Sequence, residues 1–436
     1  MIVPTRRFWL LVALGVPIAA YGAVAGSPFL ILFYNLMLAA IAIITGRLGP
    51  TPLKIRVTRQ FDPVLSVRAN NVVRLRIHND NLEPVKGRIR DEMPPDFQSS
   101  IVEFPIEIGP EREANFRIIT SPKERGGDYF RGSWVRLQCP LGLVERQAKL
   151  PTEQPVRVYP NVLALREFDL LKQRGRLREM GIRRTRIRGL GTDFESLRDY
   201  ADGDDFRKID WKGTARRGKL IVRQFEQERN QSVIIVLDIG RHMLAEVDGV
   251  RKIDRALDAI LMLAHAVVNA GDFIGLLVYS DTVRRYLPPR KGRAQLGAVI
   301  EAVHDLIAEP VESDPAAAFA YLQSRWKRRS LIVFFTDLED EARATTLVTA
   351  LGSAARRHLL LMSRVADPKL KEAVKTPIVD PPSMYRRSAA LLLVSDRRAG
   401  TARLNASGVH NIESEPEELA SDLVNYYFTV KEKSLL

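Results

Sequence analysis

Residues 8–46 contain no charged side chain and are rich in Leu, Ile, Val and Ala, and this run decides what the N-terminus can become. It is too long for one membrane crossing and suits two short ones, each about 17–18 residues. Gly26-Ser27-Pro28 interrupts it, where a tight turn is cheap and a continuous helix is not. The pattern predicts a helical hairpin over residues 8–25 and 29–45, with Trp9, Tyr21 and Tyr34 as candidate interface aromatics. Arg6 and Arg7 precede the first span, and Arg47, Lys54 and Arg56 follow the second, while the turn carries no charge. The charge bias therefore expects a two-helix, multi-pass anchor in the inner (cytoplasmic) membrane, with the bulk of the chain in the cytoplasm. A competing reading is a signal peptide cut near Ala23-Val24-Ala25. Cleavage there would translocate a strongly basic domain, against the same bias.

At 436 residues the chain exceeds one comfortable core, so two or three domains are expected. The lone cysteine, Cys139, excludes an internal disulfide framework. A net charge of +14 favours anionic surfaces, with membrane lipids preferred over nucleic acid as the partner.

Residues 51–165 read as β structure. Leu53-Lys54-Ile55-Arg56-Val57 and Val73-Arg74-Leu75-Arg76-Ile77 alternate apolar and polar, as strands with one buried face do. Turn residues at His78-Asn79-Asp80-Asn81, Met93-Pro94-Pro95-Asp96 and Gly126-Gly127-Asp128 space several short strands. The spacing suggests a sandwich of immunoglobulin-like architecture, without the Cys–Trp–Cys pattern.

Residues 166–231 form a basic connector followed by a dense polar motif. Lys172, Arg174, Arg176, Arg178, Arg183, Arg184, Arg186 and Arg188 face a single acid, Glu179. No aromatic side chain interleaves them, which disfavours nucleic-acid stacking and leaves an anionic-lipid patch or a solvated face. Asp193, Arg198, Tyr200, Gly203, Asp204, Arg207, Asp210, Trp211, Lys212 and Arg216 then crowd acids and bases around two aromatics. The run Gly191-Thr192-Asp193-Phe194, Leu197-Arg198-Asp199-Tyr200, Gly203-Asp204-Asp205, Ile209-Asp210-Trp211-Lys212 resembles the signature of the family catalogued as domain of unknown function 58. That resemblance implies a transmembrane pair, a β-rich segment and a C-terminal von Willebrand A-like domain. It also implies a MoxR-type AAA+ ATPase as partner.

Residues 232–436 alternate β and α. Buried strands are expected at residues 232–237, 273–279, 331–335 and 359–365, and helices at residues 251–270 and 299–307, a doubly wound α/β pattern. Ligands of such sheets meet the carboxyl ends of the strands, where Asp238 and Asp337 fall. In von Willebrand A-like domains these places hold a metal-ion-dependent adhesion site, Asp-x-Ser-x-Ser with a Thr and a second Asp. Here the first loop reads Asp238-Ile239-Gly240-Arg241-His242, so Gly240 and His242 stand where hydroxyl ligands are expected. The resemblance puts Ser313 at the Thr position and Asp337 at the second acid. A Mg²⁺ site built on Asp238, Ser313 and Asp337 should be weakened or lost, because Mg²⁺ needs well-placed oxygens. Otherwise the two acids cap nearby helices or pair with Arg241.

No Walker A, His-Glu-x-x-His, Gly-x-Ser-x-Gly or paired-cysteine motif occurs, and the six histidines are scattered. The reading is a non-enzymatic, membrane-anchored protein-interaction scaffold, with Asp238, Gly240, His242, Ser313 and Asp337 as a partner-binding or degenerate metal site. Its rivals are a lipid or nucleic-acid binder working through the connector, and an unrecognised metal-dependent enzyme.

Overall fold

The computed structural model describes residues 1–436 except 25, 27–28, 100–102, 175, 183–192, 202–203, 205, 207–208, 227–230 and 338–340. The chain divides into two compact units, Met1–Tyr159 and Pro160–Leu436.

In the first unit, helices Arg6–Val24 and Phe29–Leu48 are both long and apolar enough to cross a membrane. They run past the charge-free limits at both outer ends, because helix continuity is set by backbone hydrogen bonds and not by where charge begins. Gly26 adopts a left-handed φ of +64° between them, as a tight turn requires. Ser27 and Pro28 of the expected turn lie outside the described residues. Gly15 lets the helices approach, since a Cβ there would sit 3.3 Å from both Ile31 and Tyr34. The Tyr34 hydroxyl donates to the Leu11 carbonyl at 2.7 Å. Trp9, Leu14, Leu32 and Phe33 point outward uncovered, an apolar surface that water would penalise and lipid would not.

Both ends of the hairpin return to one sheet edge. Ile2–Pro4 forms a strand antiparallel to Val144–Leu150, with Ile2 opposite Arg146 and Pro4 opposite Val144. The Thr5 hydroxyl donates to the Gly142 and Leu143 carbonyls. On the far side, Arg146 donates to the Gly49 carbonyl at 2.9 Å. Residues 2–4, expected to belong to the hairpin alone, thus serve the β domain as well. Cleavage after residue 25 would strip this edge strand.

The β domain layers a five-stranded sheet, a four-stranded sheet and a small three-stranded one. The alternation foreseen around residues 73–77 is real: Val73, Leu75 and Ile77 are fully buried in strand Asn71–Asn79. The strand expected from Leu53 begins at Ile55, because Pro52–Lys54 turns as a 3₁₀ segment. One core draws Val57 and Leu75 from the four-stranded sheet and Ile89, Ile106 and Val135 from the five-stranded one. Beside it lies an ion pair with both side chains out of water: Arg59 donates from Nε (2.9 Å) and Nη2 (2.5 Å) to the two carboxylate oxygens of Asp91.

The second unit is built on a six-stranded sheet. Its order is Val283–Arg290, Phe273–Tyr279, Ser232–Asp238, Leu331–Phe335, Leu359–Val365, Val409–Ser414, which is 3-2-1-4-5-6 in chain order. All neighbours are parallel except the Val283–Arg290 edge. Every residue of Ser232–Asp238 is buried, as a central parallel strand covered on both faces must be. One apolar cluster joins alternate strand residues to helices Lys252–Asn269 and Leu419–Glu432; the other joins their neighbours to Pro315–Arg325 and Glu341–Ala355. Strand order reverses between Ser232–Asp238 and Leu331–Phe335, and their carboxyl ends open the crevice where such sheets bind ligands. The C-terminal helix is pinned by a buried triad: Lys431 and the Tyr427 hydroxyl both reach Asp272, at 2.6 and 2.5 Å.

Candidate functional site

Asp238 closes the first strand at the switch point and is wholly buried. Its Oδ1 accepts from the Gly240 backbone N–H at 2.8 Å and from the Ser313 hydroxyl. Its Oδ2 accepts from the Thr336 hydroxyl at 2.7 Å. Ser313 reaches it because residues 309–314 are laid over the Asp238 loop by backbone hydrogen bonds. Glu309 N–H donates to the Ile239 carbonyl, Arg241 N–H to that of Val311, and Asp314 N–H to that of Ser280. Asp314 then caps helix Pro315–Arg325, accepting from the Ala317 N–H at 3.0 Å.

Asp337 takes a different partner, one that sequence reasoning missed. Lys252, at the first turn of helix Lys252–Asn269, pairs its ammonium with Asp337 Oδ2, and both side chains are buried. Thr336, Asp337, Lys252, Ser363 and Arg364 line a cavity of about 10 Å³, no larger than one water requires. No local pattern marks Lys252; its partner lies 85 residues away.

The expected residues therefore converge, but not as a metal shell. Both oxygens of Asp238 already accept hydrogen bonds, and Asp337 is neutralised by an ammonium. A Cβ on Gly240 would lie 2.0 Å from the Ser313 oxygen, so the serine of an Asp-x-Ser-x-Ser loop cannot stand there while Ser313 holds its place. Among the described residues, no three His, Cys, Asp or Glu side chains are grouped to hold an ion. These donors do not fit Mg²⁺, which needs open carboxylate and hydroxyl oxygens in near-octahedral array. The Gly240→Ser substitution, which restores the motif on paper, should overpack the loop and cost about 1–3 kcal/mol. A melting curve of the variant without added metal would read this; unchanged stability would contradict the crowding.

His242 sits buried in the 3₁₀ turn Arg241–Leu244, its Nε2 3.6 Å from Glu312 Oε1. Arg241 is pulled to Glu312 at 2.8 Å, the pairing that sequence reading had offered to the two aspartates. Arg241 and Glu312 are more than half exposed and form the rim of the edge.

Two further histidines are buried elsewhere in this unit. His265 Nε2 lies 2.8 Å from Asp169 Oδ1, tying helix Lys252–Asn269 to helix Leu163–Gln173. His358 is buried with neither ring nitrogen bonded, and burial foremost, then Arg357 and Arg329, lowers its pKa to about 4. The unfolded chain, titrating near 6.5, binds the proton first. Stability should therefore be intact above pH 6.5 and fall as pH drops toward 4, by up to about 3 kcal/mol. Melting curves over this window should flatten in His358→Leu; an equal slope in the variant would count against the assignment.

The signature residues split into supports and presented groups. Arg198 clasps Asp204 through two bonds of 2.7 and 2.6 Å, and that hydrogen bonding raises the guanidinium's pKa. Asp210 caps helix Trp211–Arg217 by accepting from the Lys212 and Gly213 N–H groups. Tyr200 packs on Phe206 with ring centroids 5.6 Å apart. Trp211, Lys212 and Arg216 are exposed. Gly203 and Arg207 lie outside the described residues, as does the side chain of Asp193. So do residues 183–188 of the connector; of its earlier part, Arg176 pairs with Glu179.

Residues 196–380 match the family model "Protein of unknown function DUF58". An uncharacterized protein of Mycobacterium tuberculosis is 26% identical over 185 residues, 42% of this chain and 57% of that one. The chain thus aligns with little more than half the length of that curated relative. The uncharacterized protein YeaD of Bacillus subtilis is 29% identical over 116 residues, 26% of this chain and 28% of that one. Two solved structures are similar in part. One is the conserved hypothetical protein BatB from Bacteroides thetaiotaomicron, with TM-score 0.33, 17% identity, and 47% and 99% of the two chains covered. The other is an aerotolerance-related membrane protein from Bacteroides fragilis, with TM-score 0.31, 16% identity, and 46% and 98% covered. At such scores neither informs function. The chain carries a DUF58 region at residues 196–380, the family that its run of acids, bases and aromatics from residue 191 onward resembles.

Proposed function

We propose that this protein is a membrane-anchored interaction scaffold whose C-terminal unit, von Willebrand A-like in strand order, receives a partner at the carboxyl edge of its sheet. The observation that carries this reading is the closure of that edge. Asp238 accepts hydrogen bonds from Ser313, Thr336 and the Gly240 N–H, and Asp337 is paired with Lys252, so both carboxylates already have partners within the fold. What the edge offers outward is a charged rim, Arg241 and Glu312. Such a rim steers and selects partners more than it binds them.

The hairpin supports membrane anchoring, and the cations flanking it favour a cytoplasmic body at the inner membrane. By family resemblance the partner is a MoxR-type AAA+ ATPase, and the process is assembly or maturation of another complex. The test is co-purification of the full chain from detergent, with that ATPase followed by mass spectrometry. Asp337→Ala is a poor control, because it strands a buried ammonium. The informative variant is Arg241→Glu with Glu312→Lys, whose exposed side chains the fold does not need. Recovery with wild type and loss of about tenfold with the variant is expected. No ATPase recovered with wild type would contradict the assignment of partner.

A further inference from the structure

Helix Pro381–Ala406 has 26 residues and is about 39 Å long, whereas its neighbouring strand Leu359–Val365 has 7 residues and spans about 23 Å. The helix ends just before strand Val409–Ser414 begins, so the roughly 16 Å of excess overhangs the carboxyl edge of the sheet. Its buried residues are Ala390, Gly400 and Leu404. Apart from Ala390, the N-terminal half is largely exposed yet rich in apolar side chains. Met384 and Tyr385 recur two turns later as Leu391 and Leu392, all exposed, and Ile378 and Val379 extend that surface into the preceding loop. Val379 is 86% exposed, Tyr385 71% and Leu392 67%. A surface helix ordinarily turns its polar side outward, so this stripe is inverted.

The charge around it is one-sided. Residues 368–406 carry eight Lys and Arg against three Asp and Glu, and Arg386 and Arg398 are exposed on the same helix as the stripe. Apolar and aromatic side chains bordered by cations are what a headgroup–acyl boundary accepts, and anionic lipid adds attraction for each cation. The chain also supplies the proximity, since two apolar helices confine the second unit near a bilayer and make docking an intramolecular event.

We propose that the overhanging half of helix Pro381–Ala406, with residues 376–380, docks on the anionic surface of the membrane that anchors the chain. It inserts Val379, Tyr385 and Leu392 at headgroup depth while its arginines meet lipid phosphates. This gives the scaffold a second membrane contact, separate from the hairpin and from the basic connector.

The test uses the full chain carrying Leu392→Cys, labelled with the environment-sensitive fluorophore NBD; Cys139 is buried, so the label is directed to position 392. The protein is placed in nanodiscs of phosphatidylcholine alone, or with about one-third phosphatidylglycerol. Nitroxide-bearing lipid should quench the label at least about threefold more in the anionic discs. Each Arg→Gln change at Arg386 or Arg398 should weaken that docking about fivefold. A blue-shifted label that lipid nitroxide does not reach, or a shift that grows with protein concentration in detergent, would assign the stripe to a protein partner or a second copy and overturn the proposal. Equal quenching in both lipids, unaffected by the arginine changes, would also overturn it.

Discussion

Replacing Lys252 with methionine is expected to cost the C-terminal unit about 3–5 kcal/mol, because it leaves the Asp337 carboxylate buried without its cation. The two side chains are almost entirely out of water, so solvent cannot take the place of the missing charge. Set against a total of about 5–15 kcal/mol for a folded domain, the loss should shift melting by on the order of 10 °C. The mechanism is specific enough to be separated from simple truncation. Methionine keeps most of the lysine's stem, so packing changes little, and pairing Lys252→Met with Asp337→Leu removes both charges together. The double variant should recover most of the lost stability, since an apolar pair of similar volume is often as good as a buried ion pair. A double variant as unstable as the single would mean the lysine acts through its shape.

The second large effect lies in the β domain. Arg59→Met should destabilise that domain by a similar 3–5 kcal/mol. Arg59 joins strand Ile55–Phe61 to Asp91 at the end of strand Val85–Asp91, and it also donates to the Arg131 carbonyl at 2.5 Å and to the Thr152 carbonyl. Ser133 adds a hydroxyl bond of 2.7 Å to the same carboxylate. One guanidinium thus satisfies acceptors from three stretches of chain. Chemical denaturation followed by a probe in the β domain would show the lowered midpoint. Asp91→Leu added to Arg59→Met should restore only part of it, because the Arg131 and Thr152 carbonyls would remain unpaired.

Much of the architecture was legible because apolar pattern is local. The charge-free run of residues 8–46 broken at residues 26–28 announces two apolar helices, and continuous apolar strands such as Ser232–Asp238 announce a sheet covered on both faces. What escaped was non-local. Ile2–Pro4 is three residues long and becomes a strand only through its partner at Val144–Leu150. Val283–Arg290 contains Pro288 and Pro289, which argue against a strand; its place at the sheet edge is where prolines are tolerated. In the site, Gly240 showed that the hydroxyl pattern was broken, while the cause, Ser313 occupying the space of its absent side chain, needed three dimensions. Lys252 reads as an ordinary first-turn residue until Asp337 is folded against it.

The same reasoning accounts for part of the charge in the signature. Asp204 pairs with Arg198 and Asp210 caps the helix that begins at the exposed Trp211. Exposed tryptophan beside arginine and lysine is the composition of a binding surface.

The divalent-cation dependence of the melting temperature of the full, detergent-solubilised chain bears most directly on the sheet edge. With both aspartates satisfied by the protein's own donors, raising Mg²⁺ or Mn²⁺ should leave the melting temperature of the C-terminal unit unchanged. A saturable rise, abolished by Ser313→Ala, would mean that an ion displaces those donors, and the edge would then be a metal centre.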